Sequence, residues 1–253
     1  MKFSANLGFL WTELSLPDAI RAAGSAGFDT VECHWPYEAD REAVRTALEE
    51  THLPMLGLNT HRGDTTAGEN GLAALPGRQD DAVAGIDQAI EYANDLDVQC
   101  IHVMAGFAQG EKAEQTFVVN LQYACDKAKL TGKTILIEPL NRHDAPGYFL
   151  RNTDQAIKII DQVKAENLKL MFDCYHVGRT EGDVIHRLNA LKPRIGHIQF
   201  ASVPFRGEPG SGELDYSAVF AAIEAMGWTQ PLGAEYKPGG DTDSTLAWLK
   251  RWQ

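Results

Sequence analysis

The sequence predicts a (β/α)₈ barrel, an α/β fold in which eight parallel strands alternate with helices. Short aliphatic runs alternate along the whole chain with longer segments of helical periodicity. Eight such units fit a chain of 253 residues, which is the usual size of this fold. No low-complexity segment or linker interrupts the alternation. Residues 1–253 are therefore predicted to form one domain.

The predicted strands are short apolar runs, typical of strands buried on both faces of a parallel sheet. They are KFSANL (2–7), DTVEC (29–33), PMLGLN (54–59), VQCIHVM (98–104), KTILIE (133–138), LKLMFD (168–173), IGHIQF (195–200) and PLGAE (231–235). The competing α/β fold is a doubly wound open sheet, which usually has a glycine-rich phosphate loop after its first strand. FSANLGFLWTEL has no GxGxxG, so the barrel is favoured.

Helix signals lie between the strands. In SLPDAIRAAGSAG, Pro17 and Asp18 suit a first turn and Gly27 suits a helix end. Three further segments place apolar residues at intervals of three and four, namely DREAVRTALEE, QDDAVAGIDQAIEYANDL and FVVNLQYACDKAKL. These helices would cover the outside of the strands.

The composition bounds the partners and the compartment. A formal net charge of −12 argues against binding to nucleic acid or to anionic membrane surfaces. No signal peptide is recognisable, and no apolar run approaches the roughly 20 residues of a membrane helix. Four widely spaced cysteines without a CxxC pair indicate buried reduced thiols in a cytoplasmic protein.

Glu138 stands where an apolar strand ends. It follows three aliphatic residues in ILIEP, and Pro139 cannot donate to a sheet ladder, so strand pairing should stop there. Taken alone, Glu138 fits a solvated carboxylate at a strand end as well as a functional one.

Three later strands also end in oxygen donors, at Asp173, Gln199 and Glu235. The carboxyl ends of all barrel strands meet at one face, where active sites of this fold lie. Carboxylates that lie so near one another repel unless a cation neutralises them. An all-oxygen shell suits Mg²⁺ or Mn²⁺. The predicted metal ligands are Glu138, Asp173, Gln199 and Glu235.

Two histidines lie near these ends. His197 shares a strand face with Gln199 and is expected to be a hydrogen-bonded core residue one layer deeper. His176 follows Asp173 by three residues and is expected in a loop, where it could hydrogen-bond a substrate oxygen or lie on the surface.

IEPLN, FDCYH, GHIQFASVPFRGEPGSGELDY and AEYKP, with FSANL at the start and ALPGR at 74–78, resemble the hydroxypyruvate isomerase family, a xylose-isomerase-like group of TIM barrels. The resemblance covers nearly the whole chain, and RGEPGSGELDY is its most specific stretch. It implies a metal-dependent aldose–ketose type isomerisation with Glu138 and Glu235 as the proton-shuttling carboxylates. Asp173 and Gln199 complete the metal shell in that comparison.

Related ketose 3-epimerases usually carry histidine at the position of Gln199, which favours the isomerase branch. Within that branch, EPLNRHD favours the hydroxypyruvate type over the 2-oxo-tetronate isomerases. The expected reaction converts hydroxypyruvate to 2-hydroxy-3-oxopropanoate (tartronate semialdehyde) by enediolate proton transfer. A 2-oxo-tetronate isomerase or a ketose 3-epimerase with the same metal and glutamate pair remains the alternative.

Three carboxylates and one M²⁺ give the site a net charge near −1, which would repel a small anionic sugar-acid substrate. Binding of such a substrate therefore requires cationic side chains nearby. Arg206 is the first choice to orient a substrate carboxylate, against a structural salt bridge. Lys237 is placed to help, and His61 points either into the pocket from the polar connection 59–71 or into solvent.

Other classes of protein are open to the same fold. A phosphodiesterase such as an apurinic endonuclease would need more histidine ligands and a basic groove. A sugar-acid binding protein on a barrel scaffold would not need Glu138 and Glu235. The oligomeric state stays open, with a homo-dimer or homo-tetramer as candidates.

Overall fold

The computed structural model describes residues 1–252, which contain eight β-strands and nine α-helices. The strands are β1 (Phe3–Asn6), β2 (Thr30–Glu32), β3 (Gly57–Asn59), β4 (Cys100–His102), β5 (Thr134–Ile137), β6 (Leu168–Asp173), β7 (Ile195–Phe200) and β8 (Leu232–Ala234). The helices are α1 (Leu16–Ala26), α2 (Arg41–Thr51), α3 (Gln79–Asp95), α4 (Glu111–Lys129), α5 (Thr153–Val163), α6 (Cys174–Thr180), α7 (Val184–Leu191), α8 (Tyr216–Ala225) and α9 (Ala247–Trp252).

The strands form one sheet in the order β2-β1-β8-β7-β6-β5-β4-β3. Each of the eight predicted strands is present, and β6 and β7 match the predicted ranges residue for residue. β4 and β3 differ most, since β4 is limited to Cys100–His102 rather than 98–104 and β3 begins at Gly57 rather than at residue 54. Met55 still forms a parallel bridge to Val31 of β2, so the predicted run is extended but only partly laddered. The pairing of neighbouring strands is parallel, as in Asn6 opposite Glu32.

Local signals set the helix ends. The Ser15 side chain accepts a hydrogen bond from the Asp18 N–H at the start of α1, and Gly27 ends it with φ of 93°. The start of α4 was predicted too late, because the helix begins at Glu111 rather than at Phe117. Its first turn is largely charged and polar, so it carries little apolar periodicity although glutamate, lysine and alanine favour helix.

The chain divides into two compact units. The first contains Met1–Leu56, Asp173–Pro193 and the residues from His197 onward; the second contains Gly57–Phe172 and Arg194–Gly196. That residues 1–253 form one domain stays a prediction.

Each unit has its own buried core. In the first, Phe3 packs edge to face against Phe200, Phe220 and Trp248, with ring centroids 5.9, 5.8 and 5.1 Å from its own. In the second, a cluster of buried residues joins three neighbouring strands, β4, β5 and β6, through Cys100, Leu136 and Met171.

The four cysteines are free and buried, as predicted. Across residues 1–252, none of the helices combines the length and the apolar character that a membrane span requires.

Phe3→Ala should lower the free energy of unfolding by about 3–5 kcal/mol, because it leaves a cavity among three aromatic rings. The measurement is the urea midpoint at constant m-value. Leu130→Ala is the control, since that side chain is 82% exposed and its loss should cost less than about 0.5 kcal/mol. Equal losses in the two variants would contradict the aromatic core described here.

Candidate active site

Polar side chains gather at the carboxyl ends of strands in the first unit. Asp173 ends β6 and Gln199 is the penultimate residue of β7, as predicted from the sequence, and Glu235, predicted as the last residue of β8, follows it directly. Asn6 and Glu32 end β1 and β2. All five side chains are buried. Parallel strands bring their carboxyl ends to the same edge of a sheet, which explains why these residues meet.

Glu235 is the most heavily contacted of these carboxylates. Its Oε1 accepts a hydrogen bond from Asn6 Nδ2 at 3.0 Å and lies 3.0 Å from His34 Nε2. Its Oε2 forms an ion pair with Arg206 Nη2. Burial by itself would raise the pKa of Glu235, but the charge of Arg206 and the hydrogen bond from His34 outweigh it and hold that pKa below its ordinary value.

Arg206 is held in place from several sides. Its guanidinium carbon lies 4.5 Å from the ring centroid of Phe9 and 5.0 Å from that of Tyr175. Its backbone is left-handed, with φ of 58°, a region that non-glycine residues rarely occupy. The Arg206 N–H donates to the Ser202 carbonyl at 2.8 Å, and its carbonyl accepts from the Lys237 N–H at 2.7 Å. The two hydrogen bonds hold the backbone of Arg206, and the two aromatic rings lie against its guanidinium group.

The two oxygens of Asp173 have different surroundings. Oδ1 caps α6, accepting from the N–H of Tyr175 at 2.6 Å and of His176 at 3.4 Å. Oδ2 is buried and has no hydrogen-bond partner within residues 1–252, although Arg206 Nη2 lies 3.8 Å away. Burial, and after it the charge of Glu235, raise the pKa of Asp173 to about 7.

Glu32 forms a buried hydrogen-bonded group behind Gln199. Glu32 Oε1 accepts from Gln199 Nε2 at 3.1 Å and from Asn6 Nδ2 at 3.1 Å. Glu32 Oε2 lies 2.6 Å from His197 Nε2. His197 is therefore the hydrogen-bonded core histidine that the strand alternation predicted. The carbonyl Oε1 of Gln199 is buried without a hydrogen-bond partner in the described part of the chain.

These donors fit a divalent cation. Asp173, His176 and Glu235 each offer a ligand atom, and these atoms lie within 4.8 Å of one another. Two buried oxygens without hydrogen-bond partners, Asp173 Oδ2 and Gln199 Oε1, are the kind of donor that a hard cation requires. The cluster could hold a metal ion.

The sequence led us to expect His176 in a loop, but the structure places it in a helix. It is buried in the first turn of α6, and its Nε2 is 3.8 Å from Asp173 Oδ2. The helix starts directly after β6 because the Asp173 carboxylate caps it. Its seven residues are too few to show helical periodicity in the sequence.

Glu138 belongs to the second compact unit, where it follows β5 directly. Its side chain is buried, and its Oε2 lies 3.7 Å from Nδ1 of His102, the last residue of β4. β5 ends at Ile137, one residue before the predicted strand end at Glu138.

Two predicted substrate contacts have exposed side chains. Lys237 is exposed, and only its backbone N–H takes part in the contacts around Arg206. His61 is also exposed, and its Nδ1 accepts from the Gly63 N–H at 2.9 Å. The Lys237 side chain is therefore not part of the buried cluster of the first unit, and His61 lies in the second unit.

Sequence reasoning missed Asn6, Glu32 and His34. A carboxylate inside DTVEC, a predicted strand, is the signal that could have found Glu32, since buried charges need partners. Asn6 and His34 gave no comparable signal, because their contacts with Glu235 join residues 229 and 201 positions apart.

Comparisons with known proteins cover the chain almost completely. The model of the xylose isomerase-like TIM barrel family matches residues 20–252. A 2-oxo-tetronate isomerase from Cupriavidus necator is 42% identical, over 98% of this chain and 97% of that protein. The hydroxypyruvate isomerase of Escherichia coli is 38% identical, over 98% of each chain.

A solved structure from Brucella melitensis, described as an AP endonuclease of family 2, superposes with a TM-score of 0.96. It is 36% identical, over 100% of this chain and 99% of that one. The predicted (β/α)₈ barrel is thereby confirmed. The chain belongs to the xylose isomerase-like TIM barrel family and, within it, to the group of hydroxypyruvate and 2-oxo-tetronate isomerases, and it is an isomerase.

Proposed function

We propose that the protein is a metal-dependent isomerase of a small hydroxy-oxo acid, converting hydroxypyruvate to 2-hydroxy-3-oxopropanoate. One observation carries the proposal: a buried group of carboxylates, with ligand atoms within 4.8 Å of one another, lies beside Arg206, whose side chain is 11% exposed. The names of relatives at 38–42% identity support the same class of substrate.

The proposed metal ligands are Glu138, Asp173, Gln199 and Glu235. Asp173 Oδ2 and Gln199 Oε1 support this set, since both are buried and lack hydrogen-bond partners in residues 1–252. When bound, Mg²⁺ or Mn²⁺ would bring the carbonyl and hydroxyl oxygens of the substrate together and lower the cost of negative charge on them.

Glu138 joins the proposed set through the strand order. β5 and β6 pair in parallel, with Ile137 opposite Leu170. The residues that follow both strands therefore leave the sheet at the same end, and these include Glu138 after β5 and Asp173 at the end of β6. Its burial beside His102 fits a functional carboxylate better than a solvated strand end.

The proposed chemistry moves one proton between neighbouring carbons. One of the two glutamates, Glu138 or Glu235, removes a proton from C3 of hydroxypyruvate, and the other glutamate delivers a proton to C2. The hydroxyl proton on O3 passes to O2, so the ketone becomes an alcohol and the primary alcohol becomes an aldehyde. The neighbours of Glu235 lower its pKa and so keep this carboxylate ionised in this structure.

Arg206 is proposed to bind the substrate carboxylate. Its fork of donors matches two carboxylate oxygens, and its backbone is fixed by Ser202 and Lys237. In this structure it pairs with Glu235, so we propose that it turns from that carboxylate toward the substrate. We propose that His176 hydrogen-bonds a substrate oxygen and that Lys237 and His61, whose side chains are exposed in this structure, also contribute to substrate binding.

A 2-oxo-tetronate isomerase is the nearest alternative, because the Cupriavidus necator relative has that name. A ketose 3-epimerase or a sugar-acid binding protein with the same donors is more distant. The endonuclease name of the Brucella melitensis structure points to a phosphodiesterase. A net charge of −12 opposes binding to a phosphate backbone, so no nucleic-acid partner is proposed.

The buried free cysteines fit a cytoplasmic location, which stays a prediction. A homo-oligomer, either a dimer or a tetramer, also stays a prediction.

Chelation should abolish turnover, and Mg²⁺ or Mn²⁺ should restore it. Asp173→Asn should weaken metal binding, because it removes the charge from the oxygen proposed to face the cation. Changes in residues that only support ligands cost about 10–100-fold in affinity, so loss of a direct ligand should cost at least that.

The measurement is Mn²⁺ titration of metal-free protein. Asp40→Asn is the matched control: Asp40 also caps a helix with its side chain, but it is exposed. Unchanged affinity in Asp173→Asn, or full activity of metal-stripped protein, would contradict the proposal.

A substrate panel separates the alternatives. Hydroxypyruvate, tartronate semialdehyde, 2-oxo-tetronates and neutral ketoses are incubated with metal-loaded protein, and products are identified by NMR. Arg206→Lys should reduce turnover of the acidic substrates most, because it keeps the charge but loses the two-pronged contact. Equal losses on acids and neutral ketoses would show that Arg206 serves the fold or Glu235 alone.

Glu138→Gln and Glu235→Gln should each lower kcat by about 10²–10⁴-fold, because each removes an acid–base group while keeping size and polarity. Solvent deuterium entering the carbon-bound position is measured together with the metal content of each variant. A folded, metal-occupied Glu138→Gln protein that exchanges this hydrogen at the unmodified rate would show that Glu138 is not the base.

A further inference from the structure

Glu32 contacts none of the atoms proposed to bind the metal. It is hydrogen-bonded to Gln199, which carries one of those atoms, and to Asn6, which is hydrogen-bonded to Glu235. Its Oε1 accepts from the amino group of Gln199 and from that of Asn6, both at 3.1 Å. Asn6 Nδ2 also donates to Glu235 Oε1 at 3.0 Å. One buried carboxylate oxygen is therefore hydrogen-bonded directly to Gln199 and, through Asn6, linked to Glu235.

The amide of Gln199 has two chemically opposite ends. Its carbonyl oxygen can bind a cation, whereas its amino group can only donate hydrogen bonds. With the amino group held by Glu32, the carbonyl oxygen is the end left for another ligand. If the amide turned over, that oxygen would face the Glu32 carboxylate and the amino group would face the cation. Both contacts would be repulsive, so Glu32 selects one orientation.

The surrounding chain is shaped to allow this contact. A Cβ atom on Gly233 would overlap Glu32 Oε1 and would lie 2.8 Å from Gln199 Cγ and 2.9 Å from His197 Nε2. Glycine at this position lets three side chains meet over β8. Asn6 is fixed as well, because its Oδ1 accepts from the Gly8 N–H at 3.0 Å.

We propose that Glu32 is a positioning residue, which orients the side-chain amide of Gln199 so that its carbonyl oxygen faces the bound divalent cation. The inference rests on the proposed function, since it requires Gln199 to be a metal ligand.

The test is a double-mutant cycle on metal affinity, measured by titrating metal-free protein with Mn²⁺ without substrate and recording free Mn²⁺ by EPR. Glu32→Met removes the acceptor at similar volume and should raise the Mn²⁺ Kd by about 10–100-fold. In a Gln199→Ala background most of this loss should disappear, because there is no amide left to orient and only the link through Asn6 to Glu235 remains. Additive losses, or an unchanged Kd in Glu32→Met, would overturn the inference.

Two further variants separate positioning from folding. Glu32→Gln should keep the Mn²⁺ affinity near that of the unmodified protein, because its oxygen can accept from both amides while its amino group donates to His197. Lys133→Met removes another buried charge, paired with Asp97 in the second unit, and should leave the Kd unchanged. A weakened Kd in Lys133→Met would show that the loss follows destabilisation and would overturn the assignment.

If Glu32→Met does not fold by circular dichroism, Glu32→Asp replaces it in the cycle. Aspartate keeps the charge near His197 but withdraws the acceptor from Gln199 by one methylene, so the same loss and the same coupling are expected. Absence of Mn²⁺ binding in the unmodified protein would refute the proposed metal site itself. Normal binding there with no effect of Glu32 changes would refute only the role of Glu32.

Discussion

The repulsion between two buried carboxylates, Asp173 and Glu235, is the constraint on which the rest of the site depends. Arg206 pairs with Glu235 and lies 3.8 Å from Asp173 Oδ2, so one cation faces two anions. Arg206 does not neutralise both carboxylates. Burial, and after it the charge of Glu235, therefore raise the pKa of Asp173 to about 7. A divalent cation would compete with that proton and remove the repulsion.

The backbone around the site, and not only its side chains, holds these charged groups close together. Gly233 leaves room for Glu32 and Gln199 over β8, and a Cβ on Gly8 would overlap the His34 ring. The left-handed backbone of Arg206 is tied on both sides by hydrogen bonds. Strained backbone of this kind persists where the surrounding structure holds it, and such positions often occur at active sites.

The strands and several residues of the candidate site could be predicted from the sequence. Aliphatic runs predicted the eight strands, because strands buried on both faces need no polar alternation. The oxygen donors at Asp173, Gln199 and Glu235 were found from strand ends alone, and the partner of His197 was expected without being named.

The parts that sequence reasoning missed depend on contacts between distant segments. Asn6 and His34 meet Glu235 only after folding, and helix α6 is too short to show a period. The sequence placed Lys237 and His61 near strand ends, but side-chain direction in a loop is set by local turns, and both side chains are exposed. The proposed roles of Glu138 and Glu235 remain predictions.

A crystal structure of the protein soaked with Mn²⁺, with anomalous diffraction data, tests the central claim most directly. We expect one strong anomalous peak at about 2.0–2.2 Å from Asp173 Oδ2, Gln199 Oε1 and carboxylate oxygens of Glu138 and Glu235, within the range of hard divalent cations on oxygen ligands. A peak elsewhere, or none at these oxygens under conditions that support turnover, would contradict it.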